Sequence, residues 1–373
     1  MGFTVLFPVL APLGREVGLT EIEITAIITA SSLTVFLASP IWGRVSDRLG
    51  RKQVMLIGLF GFAAGTALFN SVLYAGLNAW LGGGLLFAAL IFARMLHAAV
   101  MSATMPAANA YMADITDATN RTKGMGQAGA ANNVGSILGP AVASLAFISL
   151  LTPLWVMAVA AFLNGLFVWK YLPEPPRHSN AVKLSRMRYS DPRILPYIIV
   201  GVTMFTGMAL VQQTMGFRFQ DTLDLDAAQT ASAFGLAMML SAVCSLISQM
   251  IIVQRFNFKP FTLLRLSMPL LIVAFVMMAM LESQLWLTLA MGVLGLGMGM
   301  AGPGFMAGAS LAVSAEEQGA VAGVAGSCGP LGFTIGPLLG GIMYQQQATL
   351  PYAVAAGMYV VLFVAMFWLG RGR

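Results

Sequence analysis

The chain has 373 residues, of which 58% are hydrophobic and only 9% are charged. Soluble domains are about 45–50% apolar and about 25% charged, so this chain has too few charged side chains to coat a water-soluble globule of its length. The composition argues against a soluble enzyme, a nucleic-acid-binding protein and a disordered chain, although Lys and Arg outnumber Asp and Glu by 20 to 14. It predicts an all-α membrane protein that crosses the bilayer many times.

Long apolar runs separated by short polar breaks predict twelve membrane-spanning helices. Each run is taken as one span, and the approximate boundaries are 1–14, 22–43, 53–73, 83–113, 124–149, 154–172, 195–216, 228–253, 261–281, 285–312, 319–344 and 351–370. The first run is shorter than the about 20 residues that a span needs, so we expect the first helix to be truncated, with residues missing upstream of Met1.

A polar stretch between the sixth and seventh spans begins with Pro-Glu-Pro-Pro and continues with several basic residues. It divides the chain into an N-terminal six-helix bundle at 1–172, a cytoplasmic linker at 173–194 and a C-terminal six-helix bundle at 195–373. Lys and Arg concentrate in the segments that a cytoplasmic N-terminus places inside, whereas the outer loops hold only Arg15 and Arg218. This distribution predicts that both termini are cytoplasmic.

An internal repeat supports the division into two halves. The same Gly and Pro spacing occurs twice, 197 positions apart, first as Gly126, Gly135, Gly139 and Pro140 and again as Gly323, Gly332, Gly336 and Pro337. Both copies fall in the fifth span of a half. Many secondary transporters are built from repeated halves of this kind, with the substrate path between them.

A charged segment, Gly-Arg-Val-Ser-Asp-Arg-Leu-Gly-Arg-Lys, connects spans two and three at residues 43–52. Its glycines permit a tight turn, and one acid among four cations can hold a charge network at the cytoplasmic face. An ordinary loop of the positive-inside type is the alternative. The segment resembles the G-x-L-A-D-R-x-G-R-K loop of the major facilitator superfamily, and the resemblance implies a latch that holds the outward-facing state. The residues that we assign to this cytoplasmic latch are Gly43, Asp47, Arg48, Gly50, Arg51 and, at the end of span four, Asp114.

The glycine and proline pattern of span five is similar to the antiporter motif of the same family, with Ala143 and Ser144 in place of its last two glycines. Small residues allow close helix packing, and a proline allows the helix to bend, so both copies of the pattern are interpreted as helix-bending motifs. Plain helix packing is the alternative. In the family this motif marks exporters, so the direction of transport is implied by the resemblance.

Arg94 lies near the membrane midplane in span four, where an unpaired cation costs at least about 2.5–3.5 kcal/mol. It matches the arginine of the family's R-x-x-Q-G motif, although His97 and Ala98 replace the Gln and Gly. His97 lies on the same helix face and can carry a proton near neutral pH, although the nearby Arg94 opposes its charged form. We assign both residues to coupling or anion contact. The alternative for His97 is a neutral, hydrogen-bonded side chain.

Polar side chains within the spans are candidates for lining a substrate cavity. We expect Gln212, Gln213, Met215 and Arg218 to meet there near the outer half of span seven, with amides of the first half contributing hydrogen bonds. The full predicted set is Asn109, Asn132, Asn133, Gln212, Gln213, Met215 and Arg218.

Together the motifs resemble those of the twelve-span drug:proton antiporters of bacterial inner membranes. The resemblance implies proton-coupled export of a small organic molecule by alternating access, in a lipid-embedded monomer. We expect no catalytic residue, no metal and no cofactor beyond the proton gradient. One alternative is an exporter of an anionic metabolite, such as a carboxylate siderophore, because a lone Arg94 suits an anion. A further alternative is a membrane scaffold or sensor that transports nothing.

Overall fold

A computed structural model describes residues 2–115, 131, 134–174, 187–256, 258–314 and 317–369. Regular structure within these residues is helical throughout. The helices are α1 (Gly2–Glu16), α2 (Glu21–Leu49), α3 (Arg51–Leu77), α4 (Gly83–Met101), α5 (Thr104–Ile115), α6 (Val134–Phe147), α7 (Thr152–Tyr171), α8 (Leu195–Leu223), α9 (Ala227–Ser248), α10 (Pro260–Met280), α11 (Gln284–Leu311), α12 (Gln318–Gln346) and α13 (Leu350–Leu369).

Nine helices in the described part of the chain are long and apolar enough to cross a membrane. Two of these combine neighbouring elements, because α4 and α5 form one span and α9 continues through a π-helical turn at Gln249–Val253. The remaining helices α1, α6 and α13 bring the described helical segments to twelve. The all-α fold with twelve spans is therefore confirmed.

The 43–52 segment differs from the predicted loop. Helix α2 continues to Leu49 and α3 begins at Arg51, so the break consists of Gly50 alone, with φ at 110°. Residues that have a Cβ rarely adopt this backbone conformation, whereas glycine adopts it readily, which explains the glycine at this position. Hydropathy places the end of a span where the apolar residues stop, but the helical hydrogen bonds continue through the charged residues.

The position of Arg218 in an outer loop is wrong for the same reason. Helix α8 runs to Leu223 and ends at Asp224, which has a left-handed conformation, so Arg218 lies within the helix and is buried. The next helix starts with a capping box between Asp226 and Gln229. Polar residues thus extend α8 beyond its apolar part.

The chain divides into two compact units, Met1–Ala181 and Val182–Arg373. In the first unit, glycines of α3 let the helix α4–α5 approach closely. A Cβ added at Gly65 would lie 2.7 Å from Cβ of His97, and Val100 and Thr104 occupy the space beside Gly61 and Gly58. This contact fixes the distance between α3 and His97.

In the second unit, the repeat glycines of α12 face the backbone of α8. A Cβ at Gly332 would lie 2.6 Å from the carbonyl carbon of Phe205, and one at Gly336 would lie 2.7 Å from the carbonyl oxygen of Thr206. Pro337 is buried beside them, whereas a Cβ at Gly323 would meet nothing. In the first copy, Gly135, Gly139 and Pro140 are buried in α6, and Gly126 lies outside the described residues. Close packing accounts for Gly332 and Gly336, and helix bending stays a prediction.

The α8–α12 contact generates a stability prediction. Gly336→Ala places a methyl group against Ala209 Cβ at 2.6 Å, and we expect this overpacking to destabilise the protein by about 1–3 kcal/mol. Gly326→Ala is the matched control on the same helix, because nothing lies within 4 Å of the new methyl group. Thermal unfolding of the detergent-purified protein measures both effects. Equal melting temperatures for the two variants would contradict the close contact.

Candidate functional site

Arg94 is a buried cation deep in the first unit. It lies eleven residues after Gly83, the first residue of α4, which places it about 17 Å along the helix at the standard rise. A bilayer's hydrocarbon core is about 30 Å thick, so this depth corresponds to its middle. Only 4% of the residue is exposed. Its guanidinium therefore depends on partners within the protein.

His97 is one of those partners. Its Nδ1 lies 2.7 Å from Nη1 of Arg94, and its Nε2 lies 3.4 Å from Oγ1 of Thr66 on α3. A guanidinium only donates hydrogen bonds, so Nδ1 of His97 is the acceptor and the ring proton belongs on Nε2, which faces the threonine. The geometry thus fits a neutral imidazole between a permanent cation and a hydroxyl group.

Aromatic side chains of α3 complete the surroundings of this pair. Phe62 meets the His97 ring edge to face, with centroids 4.9 Å apart, and Arg94 Cζ lies 5.7 Å from the centroid of Phe69. An aromatic face attracts a cation, so Phe69 helps to hold the guanidinium away from water. These α3 residues cannot be recognised from the sequence, because an apolar span contains many similar side chains and only the packing of α3 on α4 distinguishes them.

The α8 residues predicted to line a cavity are all buried in the second unit. Gln212, Gln213, Met215 and Arg218 have exposed fractions of 8%, 4%, 0% and 6%. Successive helical residues are turned by about 100°, so Gln212, Met215 and Arg218, three residues apart, follow one side of α8, and Gln213 points away from it. Among the described residues, Gln212 Oε1 and Gln213 Nε2 have no hydrogen-bond partner. These two amides retain hydrogen-bonding capacity inside the protein.

Arg218 lies at a different depth from the glutamines, near the far end of α8. Its Nη2 lies 3.5 Å from the carbonyl oxygen of Leu281. One helical turn further along, Asp221 accepts a hydrogen bond of 2.8 Å from the hydroxyl group of Tyr344 on α12. Of the amides predicted in the first unit, Asn109 is exposed on α5, and Asn132 and Asn133 lie outside the described residues.

The residues predicted to form the latch meet around Arg51. Its guanidinium lies 2.6 Å from Asp47 Oδ1 and 2.9 Å from Asp114 Oδ2, and it donates a 2.7 Å hydrogen bond to Ser46 Oγ. The network joins α2, α3 and α5 at one end of the first unit. Of the other predicted members, Arg48 is exposed, and a Cβ added at Gly43 would have no neighbouring atom within 4 Å.

Glu174 is a contributor that sequence reasoning missed. Its carboxylate accepts a 3.2 Å hydrogen bond from the backbone N–H of Lys52, and it fills the space where a Cβ on Gly50 would lie. A carboxylate at this position also complements the positive N-terminal end of the α3 dipole. Tyr111 donates a hydrogen bond to the neighbouring carbonyl of Pro173 at 3.0 Å. The segment after α7 is thereby fastened to the latch.

The second unit has an arginine network of its own. Arg193 donates to Asp191 and, with both terminal nitrogens at 2.8 Å, to Glu317 just before α12. These hydrogen bonds hold the pKa of the two carboxyl groups below their ordinary values and raise the pKa of Arg193. The network fastens the start of α8 to the start of α12.

The sequence model of the Major Facilitator Superfamily matches residues 1–332. The chain belongs to the major facilitator superfamily. It is a membrane transporter rather than an enzyme, and the family predicted from the latch and span-five motifs is confirmed.

Relatives named for drug resistance span nearly the whole chain. Multidrug resistance protein 1 of Bacillus subtilis (strain 168) is 25% identical, and the match covers 95% of this chain and 89% of the relative. The class C tetracycline resistance protein of Escherichia coli is 26% identical, with 98% and 93% covered. A bacterial homolog of the human lysosomal transporter Spinster, solved in an inward-facing and occupied conformation, has a TM-score of 0.78 at 14% identity, covering 100% of this chain and 94% of that one. The similarity to the Spinster homolog shows that the two chains share a fold.

The latch generates a second prediction, which compares its two carboxylates. The side chain of Asp114 is 25% exposed and that of Asp47 is 60% exposed. We expect Asp114→Asn to lower the free energy of unfolding by about 1–3 kcal/mol, because a charged hydrogen bond is lost in a partly buried site. Asp47→Asn removes an exposed pair and should cost about 0–1 kcal/mol. A larger loss for Asp47→Asn in thermal unfolding would refute this ranking.

Proposed function

We propose that the protein exports a small, drug-like or amphiphilic organic molecule in exchange for protons, by alternating access. The observation that carries the proposal is the buried hydrogen bond between Arg94 and His97 in the middle of a span. A charged group at this depth is costly and is expected to serve function. Relatives named for multidrug and tetracycline resistance support export of such molecules.

The pair offers a mechanism for coupling. His97 accepts the hydrogen bond of Arg94 through Nδ1, so a proton that arrives at Nδ1 removes the acceptor and places two positive groups side by side. The guanidinium must then turn to another partner. Proton arrival thereby changes where Arg94 points, and a substrate or a carboxylate can compete for it. Proton and substrate are thus linked through one side chain.

The glutamines of α8 are proposed substrate contacts. Gln212 Oε1 and Gln213 Nε2 are an acceptor and a donor that no described residue satisfies. A buried polar atom without a partner is costly, so a bound molecule that completes these hydrogen bonds gains specificity. Asn109, Asn132 and Asn133 stay predicted contacts of the first half.

The orientation follows from charge. The latch, the linker and the basic residues before α10 fall on one side of the predicted topology, and we propose that this side is cytoplasmic in a bacterial inner membrane. Both termini then lie in the cytoplasm, and the Arg51 network works at the cytoplasmic end of the first unit. We propose that the protein functions as a monomer.

A second candidate is export of an anionic metabolite, such as a carboxylate siderophore. The specific observation in its favour is the chemistry of Arg94, since a guanidinium presents a planar fork that matches a carboxylate.

Reconstituted vesicles separate the two candidates. Purified protein in proteoliposomes with an acidic lumen should accumulate the cationic dye ethidium in exchange for luminal protons, and a protonophore should abolish uptake. Accumulation of a carboxylate siderophore without ethidium would favour the second candidate. Uptake of neither under the gradient would overturn the proposal.

Arg94→Ala gives the next prediction. Removing the guanidinium should lower gradient-driven uptake by roughly tenfold or more, because the proposed coupling of proton and substrate runs through this side chain and coupling free energies of about 1–3 kcal/mol correspond to about 5–150-fold. Membrane expression and the melting temperature should stay close to those of the parent. Lys170→Ala removes an exposed cation at the end of α7 and should transport normally. Unchanged uptake by Arg94→Ala would sink the assignment.

His97→Gln tests proton carriage. The amide can still accept a hydrogen bond from Arg94 but does not titrate, so the pH dependence of uptake should shift or flatten between about pH 5 and 8. Thr66→Val is the matched control, because it removes the partner of Nε2 and leaves the titrating ring in place. If His97→Gln keeps the parent's pH profile, the histidine has a structural role only.

A further inference from the structure

A cleft of about 460 Å³ lies in the second unit, between the starts of α8 and α10 and the end of α11. Its walls are largely apolar, and two basic residues, Arg193 and Lys259, stand at its rim. All of its lining residues belong to this unit. None of them enters the proposed transport mechanism, so the cleft needs an explanation of its own.

Two aromatic rings and a leucine form much of the apolar wall of the cleft. Tyr197 and Phe261 meet edge to face, with ring centroids 5.8 Å apart, and the Tyr197 ring packs directly over Gly308, where no Cβ would fit. Leu311 continues this wall and is 75% exposed, although it is a large apolar side chain at the end of a helix. A hydrocarbon chain lying along these residues would cover them.

The charges at the rim are not equivalent. Arg193 is committed to Asp191 and Glu317 through four hydrogen bonds from its side chain. Arg265, further along α10 and outside the cleft lining, is held over the Phe261 ring at 5.6 Å while donating to the carbonyl of Met366. Within the described part of the chain, the exposed ammonium of Lys259 forms no ion pair. Lys259 is therefore the cation at the cleft that can neutralise an incoming anion.

The residues that precede the cleft in sequence combine exposed aromatic rings with exposed cations. Phe256 and Phe258 stack with ring centroids 5.5 Å apart and are 52% and 39% exposed. They stand between Arg255 and Lys259, both exposed. Exposed aromatic rings beside cations are typical of the membrane–water interface, where acidic lipids attract basic side chains.

We propose that this cleft binds one acidic phospholipid. The phosphate group contacts Lys259, with Arg255 close in sequence, and an acyl chain lies along Tyr197, Phe261 and Leu311. The combination of one uncommitted cation with an apolar wall fits an amphiphilic anion, and a free inorganic anion would leave the wall uncovered. Such a lipid would hold the ends of three helices in one arrangement. The inference depends on the protein being membrane-embedded, and it does not depend on which substrate is transported.

The experiment measures lipid binding to the purified full-length chain in an uncharged detergent by native mass spectrometry. Phosphatidylglycerol and phosphatidylcholine with identical acyl chains are titrated separately, and binding of the first lipid is read. We expect tighter binding of phosphatidylglycerol, and we expect Lys259→Gln to weaken it about fivefold without changing phosphatidylcholine binding. Lys170→Gln is the matched control, because this exposed lysine also lies beside an aromatic ring, 5.3 Å from Tyr171, but in the other unit.

Two further arms identify the source of the anion and the site. Ala312→Trp fills the cleft and should weaken phosphatidylglycerol binding, and inorganic phosphate at millimolar concentration should fail to displace the lipid. The proposal would be overturned if the two lipids bound equally, or if Lys170→Gln weakened phosphatidylglycerol binding as much as Lys259→Gln does. It would also be overturned if the Ala312→Trp variant still bound phosphatidylglycerol as the parent does, or if inorganic phosphate displaced this lipid. Transport is not measured, so failure here leaves the proposed export function standing.

Discussion

A polypeptide inside a membrane must satisfy its own backbone hydrogen bonds, because hydrocarbon offers no partners. The constraint explains why the described regular structure is entirely helical and why the helices depend on close contact rather than on the hydrophobic effect. Gly65 brings α3 against His97, and Gly336 brings α12 against α8. Once the backbones are this close, side chains at the contact have fixed positions. Arg94 can therefore rely on a histidine and an aromatic ring that do not move aside.

The two units each use an arginine between two carboxylates, but they do so with unrelated positions. Arg51 joins Asp47 to Asp114, and Arg193 joins Asp191 to Glu317. Arg51 is the first residue of α3, whereas the first residue of α10, the third helix of the second half, is Pro260. The halves thus share the spacing of their repeat glycines, whereas their arginine networks involve different positions.

Much of the fold was predictable from the sequence, because apolar length and charge sign are local properties of a span. The Arg51–Asp114 contact was also predictable, since Arg51 belongs to a motif and both residues fall at span ends of the same side. The roles of Thr66, Phe69 and Glu174 were not, because their residue types are common and only tertiary contact gives them a partner. Helix ends were misplaced at Leu49 and Leu223, where the apolar residues stop before the helix does.

The single residue between α2 and α3 has a mechanical consequence. With only Gly50 between the two helices, any change in the angle between α2 and α3 has to occur through the φ and ψ angles of this one residue. Helix α3 carries Thr66 and Phe69, which touch the buried pair at mid-depth. One helix thus carries both Arg51 of the latch and, several turns away, the residues that contact Arg94 and His97, so a tilt of α3 about Gly50 would displace Thr66 and Phe69 relative to that pair.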